Sequence, residues 1–340
     1  LAGKKENVNW GLALRTQASA GSEWIQLQNS VDRAIALELA FLRYSEALLG
    51  GEIAFTAGRQ KPTPIFDSLG QVLIDSDVRF DGFGWAWKKD AWGLNLAQYM
   101  LGARSQGTAG ASTFTRTEAH KASPEAQSGF AWLFSFQPTY KWKLNEEIEA
   151  QFVLGYHIWS GTGGNSNGGF YTNAIHGGQA GTAGNVNPVV LDNARQWQLH
   201  SSWTLPWKLK LSGEYVRNKK TVYGTRVMPT KKEADNSAYS VGLAWNKIKA
   251  AGDFAANYTF VHKGIGSVIG TFTDSDMAPD LAGHLVNASY GISEALSFTF
   301  RYMNFHELGK VGGDGLSLAS PNEKRKQTQS RYDLVLNMSF

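Results

Sequence analysis

Gly164-Asn165-Ser166-Asn167-Gly168 satisfies the Gly-x-Ser-x-Gly pattern of a nucleophile elbow. That motif works at a strand-to-helix turn, where the serine meets a histidine base and an oxyanion hole. Here it sits in the glycine-rich stretch 161–184, with no helical periodicity after it. A flexible loop explains it better. His157, His176, His200, His262, His284 and His306 show no paired ligand spacing, so no metal site is assigned. Ser201 adjoins His200, but adjacent residues of a strand point to opposite faces and make a poor catalytic pair. The residues offer no catalytic constellation, and neither a cofactor nor an enzymatic activity is expected.

The remaining candidates are charges. Segment 60–79, entered through Arg59, mixes Lys61, Asp67, Asp75, Asp77 and Arg79 with the apolar run Val72-Leu73-Ile74. Charged side chains on a loop folded into a channel set its selectivity and width. The plainer alternative is that the aspartates cap a turn and pair Arg59 or Arg79. Elsewhere Arg15, Glu38, Lys210 and Glu214, and then Arg301, Arg331 and Asp333, each lie opposite apolar neighbours in alternating stretches. A period of two gathers such residues on one face of a strand. Both signs are present, so a channel lined by them is expected to select ions weakly.

Something must position these faces. Charged residues make up 18% of the chain, below the ~25% of soluble proteins, and hydrophobic residues 42%. No run of eighteen apolar residues offers a transmembrane helix. Aromatics abound (Trp 12, Tyr 12, Phe 18), as they do where rings sit at two membrane interfaces. The absence of cysteine excludes a disulfide scaffold, and a formal charge of +4 without a basic stripe excludes a nucleic-acid partner.

Alternation yields about fourteen strands of roughly ten residues, the length a tilted transmembrane strand needs. The outer sets expected include Val8, Trp10, Leu12, Leu14, followed by Ile35, Leu37, Leu39, Phe41 and then Ile53, Phe55, Ala57. Further along they include Phe134, Phe136, Leu199, Trp203, Val241 and Leu243. Tyr44 and Tyr99 are the main aromatics expected inside. Short links at 46–51, 88–90, 141–146, 206–207, 246–252 and 291–295 take turns with long ones such as 60–79, 101–128, 160–194 and 307–330. Outer-membrane barrels sort their connections in this way, short periplasmic turns against long extracellular loops. The last strand carries Tyr332, Leu334, Leu336, Met338 and Phe340 on one face, and ends on an aromatic like the assembly signal of such barrels. Residues 1–340 are therefore expected to form one all-β domain, a transmembrane antiparallel β-barrel, with segment 60–79 the candidate for a loop folded into its lumen.

Phe55-Thr56-Ala57-Gly58-Arg59-Gln60-Lys61-Pro62, followed by Ile74-Asp75-Ser76-Asp77-Val78-Arg79-Phe80-Asp81-Gly82, resembles a family of porins of the bacterial outer membrane. Trp10-Gly11-Leu12-Ala13-Leu14-Arg15-Thr16, Leu39-Ala40-Phe41-Leu42-Arg43-Tyr44 and the closing strand are similar to that family as well. The resemblance is clearest over residues 8–100. It implies two strands ahead of Trp10, so that Leu1–Asn7 is a strand end with a periplasmic turn and the barrel has about sixteen strands.

The expected function is a porin of the Gram-negative outer membrane: a water-filled channel for passive diffusion of small hydrophilic solutes and ions. The alternatives are a structural or adhesive barrel with a plugged lumen, or a substrate-specific channel. Partners expected are outer-membrane lipid, lipopolysaccharide near Lys219-Lys220, Lys231-Lys232 and Lys324-Arg325-Lys326, and, by analogy with porins generally, two further copies in a homotrimer.

Overall fold

A computed structural model describes residues 2–17, 25–26, 34–61, 71–74, 78–103, 130–160, 194–219, 235–264, 266–269, 281–308 and 328–338. They form one antiparallel sheet. Its strands are β1 (Ala2–Lys5), β2 (Val8–Gln17), β3 (Ile25–Gln26), β4 (Ala34–Leu48), β5 (Gly51–Gln60), β6 (Phe80–Lys89), β7 (Trp92–Ala103) and β8 (Phe130–Lys143). Then come β9 (Glu149–Ser160), β10 (Arg195–Leu205), β11 (Leu209–Asn218), β12 (Ser237–Trp245), β13 (Phe254–Lys263), β14 (Leu281–Gly291), β15 (Leu296–Glu307) and β16 (Thr328–Met338). Every strand pairs with its neighbour in chain order, except that the two-residue β3 only pairs β4. Fifteen strands thus follow one another, against the fourteen expected; the addition is β1, the strand end and turn that the resemblance implied. No helix among the described residues is long and apolar enough to cross a membrane.

β1 and β16 are the sheet's two edges, with no ladder between them among the described residues. Both run toward the short-turn end, so a ladder joining them directly would be parallel. Antiparallel closure takes either β2 as the partner of β16 or a further strand between the edges. These are the fourteen- and sixteen-strand solutions expected from the sequence.

The short turns use left-handed backbone at Leu49 (φ 54°), Gly50 (φ 69°), Asp90 (φ 51°) and Trp207 (φ 59°). Such residues match a tight turn to the twist of its flanking strands. The outer face is bare hydrocarbon and aromatic: Leu199, Leu211, Val241 and Leu243 are all exposed. Ring pairs bracket them, Trp92–Tyr140 (4.6 Å) and Trp245–Phe254 (6.0 Å) near the short turns, Tyr156–Trp197 (4.7 Å) and Tyr302–Tyr332 (4.9 Å) toward the long loops.

β4 corrects one expectation. Ala13 pairs Leu39 but Leu14 pairs Leu37, so Glu38 is a bulge residue. One extra residue flips the faces of everything beyond it. Leu42 and Tyr44, opposite Trp10 and Val8, therefore take the outer face, and both are exposed. Phe41, expected outside, lies opposite Gly11 and fills the space over it: a Cβ added at Gly11 would sit 2.5 Å from the Phe41 ring. Leu39 turns inward with it, and Tyr44, expected inside, does not. The side chains of residues 34–37 lie outside the described residues.

The inner face curls around two chain segments. Val72, Leu73 and Ile74 (0–2% exposed) share one apolar cluster with Val268 and Ile269, and with Phe80, Tyr99, Leu133, Trp159, Val216 and Ala238 from six different strands. A flat sheet could not bring β6 and β12 to the same cluster. Burying Val72, Leu73 and Ile74 stabilises by about 1.5–3 kcal/mol each, which offsets the ~1–2 kcal/mol of ordering each of those three residues.

Candidate functional site

Counting along each strand from its short turn, the inner face divides into two storeys. The upper one, toward the long loops, is apolar: Tyr99, Leu133, Trp159, Val216 and Ala238 are fully buried, and Val261 and Met303 nearly so. Below it the inner face turns polar and small. Thr204, Lys210, Asn257, Ser289, Thr299 and Asn337 lie here, and Thr204, Asn257 and Asn337 are exposed.

Two chain segments fill the upper storey. Between β13 and β14 the chain doubles back inside the wall, where Gln196 Nε2 on β10 donates to Ser267 O (2.7 Å) and Asn218 Nδ2 on β11 donates to Gly266 O (3.0 Å). Between β5 and β6, Lys263 Nζ on β13 donates to Gln71 O (3.3 Å), and Arg79 Nη2 donates to Glu38 Oε1 on β4 (2.7 Å). Gln71 and Arg79 thus reach strands that eight others, β5 to β12, separate. Of this segment, Val72, Leu73, Ile74 and Val78 are buried.

A buried polar layer lies under the apolar one. Gln137 Nε2 donates to Gln198 Oε1 (2.7 Å), which also takes a 3.0 Å contact from His157 Nε2, and Gln198 Nε2 donates to Glu214 Oε1 (2.6 Å). Because the Gln198 oxygen only accepts, His157 Nε2 donates to it, and His157 Nδ1 lies 2.9 Å from Ser135 Oγ. Gly155 makes room for this junction, since a Cβ there would lie 2.6 Å from both Gln198 Oε1 and His157 Nε2. The serine and imidazole are sealed from solvent (5% and 0% exposed), so the pair holds structure together and offers no access to a substrate.

On β13 to β16 a cross-strand polar row is only partly covered. Asn257, Asn287, Arg301 and Asp333 face one another in register across β13 to β16. Asn287 Nδ2 donates to Asn257 Oδ1 (2.7 Å) and Arg301 Nε to Asn287 Oδ1 (3.2 Å), while Arg331 Nε donates to Asp333 Oδ1 (2.9 Å).

The structure places the sequence candidates unevenly. Glu38, Lys210, Arg301, Arg331 and Asp333 lie on the inner face, and Glu214 does so fully covered. By strict alternation Arg59 would follow Ala57 outward. Gly58 (φ 108°) and Gly82 (φ 149°) face each other and break the pleat there, and Arg59 is covered by protein with Asp81 3.6 Å away. Asp75, Asp77, Phe340, the Gly-x-Ser-x-Gly stretch and the basic loop clusters 231–232 and 324–326 lie outside the described residues, as do the side chains of Arg15 and Met338. Tyr332, Leu334 and Leu336 line the outer face of the edge strand. Ser201 and His200 do lie on opposite faces: Trp203 Nε1 donates to Ser201 Oγ outside (2.9 Å), and His200 is buried inside. Sequence reasoning missed the second inward segment, Gly266–Ile269, and the inward apolar positions of the strand tops. Consecutive apolar pairs such as Tyr215-Val216, Phe260-Val261 and Tyr302-Met303 were the available signal, because they mark strand ends covered on both faces.

No protein-family model matches the chain, and no curated protein does. Among solved structures the chain is similar to OprB of Pseudomonas putida, with 10% identity, 89% of this chain and 79% of that chain covered, and a TM-score of 0.50. It is also similar to the outer-membrane-expressed OmpT of Vibrio cholerae (10% identity, 99% and 99% covered, TM-score 0.43). A third is the outer membrane protein OprD of Pseudomonas aeruginosa (11% identity, 98% and 83% covered, TM-score 0.35). The likeness to OprB shows the fold alone: an antiparallel β-barrel.

Proposed function

We propose that residues 1–340 form a single porin domain in the Gram-negative outer membrane, a channel through which small hydrophilic solutes and ions diffuse passively. One observation carries this reading. At the same height on the wall, Leu211 and Leu243 present bare hydrocarbon outward while Lys210, Asn257 and Thr299 present polar groups to the lumen. Such a wall suits lipid on one side and water on the other. No covalent step or cofactor enters the function. Arg301 and Asp333 oppose each other in one row, so the lining is mixed in sign and selects weakly between anions and cations. Arg15, Asp75 and Asp77 join the pore-lining set on the sequence alone, with Arg59, Arg79 and Glu38 at the root of the inward segment. Lipopolysaccharide at the basic loops and assembly as a homotrimer complete the reading.

The apolar upper storey favours a second reading, a structural barrel with a plugged lumen. Purified protein in planar bilayers separates the two. Stepwise conductance with a small reversal potential in a salt gradient supports the channel; a lipid-inserted protein with no conductance supports the plug.

A further inference from the structure

Resting on the outer-membrane reading, we infer that Arg195, Arg217 and Lys219 on the outer face of β10 and β11 form a site for a lipid-borne phosphate. The apolar wall beneath them seats that lipid's acyl chains. The register builds the cluster. Trp197 pairs Arg217 across the ladder, and the Lys219 N–H donates to Arg195 O (2.7 Å). Arg195 and Lys219 thus oppose each other one pleat farther toward the long loops. Gln196, Val216 and Asn218 between them are buried, which sends the three cations outward, and all three are exposed. Lys219 Nζ lies 5.4 Å from the centre of the Trp197 ring, on the outer face. Opposed residues of an antiparallel pair hold their Cβ atoms about 5 Å apart, so side chains this long reach one anion.

The wall itself does not neutralise them. Like charges placed opposite each other on a sheet are destabilising. Among the described residues no carboxylate pairs Arg195, Arg217 or Lys219. Their cross-strand neighbours are Ile158 and Tyr156 on β9, and Ser237 and Tyr239 on β12. Asp235 is engaged elsewhere: it accepts the Ser237 N–H (3.1 Å) and hydroxyl (2.7 Å) and meets His262 Nε2 at 3.1 Å. The missing counter-charge comes from outside the protein.

The surface below the cations points to a lipid as its carrier. Tyr156 and Trp197 stand there with ring centres 4.7 Å apart, and Tyr215 pairs Tyr239 beside them. Under the rings Leu154 and Leu199 oppose each other, both exposed. Aromatic residues in such a belt mark the boundary between hydrocarbon and headgroups. The cations stand just above it on the long-loop side, the outer leaflet of an outer-membrane barrel. Guanidinium groups pair with phosphate oxygens, and free phosphate would gain nothing from the leucines. The phosphate of an acylated glycolipid such as lipopolysaccharide meets both. Arg195 and Arg217 are strand residues, so this site is held by the barrel wall and not by the basic loops.

Parent protein and an Arg195→Gln/Arg217→Gln/Lys219→Gln variant, folded in detergent, are titrated with lipid A, an acylated and phosphorylated glucosamine disaccharide. The same lipid without its phosphates and inorganic phosphate are the comparison probes. Bound copies are counted by native mass spectrometry. Expected is at least tenfold weaker binding of lipid A to the triple variant, weak binding of the dephosphorylated lipid to both proteins, and no competition from inorganic phosphate. Lys88→Gln/Lys89→Gln, at exposed positions beside a short turn, should bind lipid A like the parent. Should the triple variant not fold, Arg217→Gln alone is expected to weaken binding at least twofold. Equal affinity of parent and variant, or an equal loss in the Lys88/Lys89 variant, overturns the site; competition by inorganic phosphate overturns the lipid as its occupant. Conductance of the same preparations in planar bilayers separates the two readings. Stepwise channels with unaltered lipid A binding in the variant overturn the site alone, whereas the expected loss of binding in a protein that conducts no ions overturns the channel and supports the site.

Discussion

Arg79 Nη2 lies 2.7 Å from Glu38 Oε1, and the carboxylate reaches it because Glu38 is the bulge residue of β4. The guanidinium side chain is 4% exposed and the carboxylate 22%. Removing the acid would leave a cation nearly buried, which costs several kcal/mol. Glu38→Ala should therefore lower stability by about 2–3 kcal/mol, discounted for the partly open carboxylate. Glu38→Gln, which keeps an acceptor, should lose less. Thermal unfolding in detergent reads both, and equal losses would show that the bulge geometry matters and the charge does not.

The two faces of the wall should respond differently to a cation. Leu199→Arg or Val241→Arg should destabilise the inserted barrel by roughly 2–4 kcal/mol near the midplane. Thr299→Arg, on the wet inner wall, should fold normally and reduce conductance. Urea titration of protein folded into vesicles distinguishes them, and similar losses at all three would overturn the assignment of faces.

Much of this was written in the sequence. Alternation located the strands, and the sorting of connections by length identified the barrel, because a period of two and a lipid belt leave few other solutions. Val72-Leu73-Ile74 was legible as an apolar run inside a charged loop, and its burial follows. The bulge at Glu38 was not legible. Ala36 to Leu42 alternates acceptably in either register, and only the partner strand, through Gly11 beneath Phe41, decides which face wins. The lumen's filling was hidden for a related reason. Val216 looks like an ordinary strand residue until a second segment, Gly266–Ile269, is seen to pack in the same cluster.

Gly155→Ala should split the junction between His157 and Gln198, because the new methyl would sit 2.6 Å from both polar atoms. Overpacking of this kind costs about 1–3 kcal/mol. The melting temperature should fall while the outer face is untouched. An unchanged melting temperature would mean that the polar layer gives way freely.

Leu49 holds a left-handed conformation (φ 54°) at an exposed turn tip, which a branched side chain adopts at a cost. Leu49→Asn should stabilise by roughly 1 kcal/mol or less, since asparagine tolerates that region. Denaturant midpoints should rise without a change in slope; a lower midpoint would show that Leu49 makes a contact that outweighs its backbone strain.

In the β12–β13 turn, Asp253 Oδ2 accepts the Lys249 N–H (2.8 Å) and the Ala250 N–H (2.9 Å), and these bonds hold its carboxyl below the usual carboxylate range. A depressed carboxyl stabilises the fold above its unfolded-state pKa and loses that contribution as pH falls through the folded value. Asp253→Ala should therefore unfold more readily than the parent at pH 7, with the difference shrinking in acid. A difference that stays constant down to pH 2 would remove the carboxylate from the explanation.

The hydrogen bond from Lys263 to Gln71 joins residues 192 positions apart. Contacts so distant in the chain form late, after the intervening sheet has been laid down. Strands β6 to β13 must therefore be zipped before the inward stretch finds its second anchor, so the wall is built first and its interior furnished afterwards. A nascent barrel caught between those two events would be wider and leakier than the finished one.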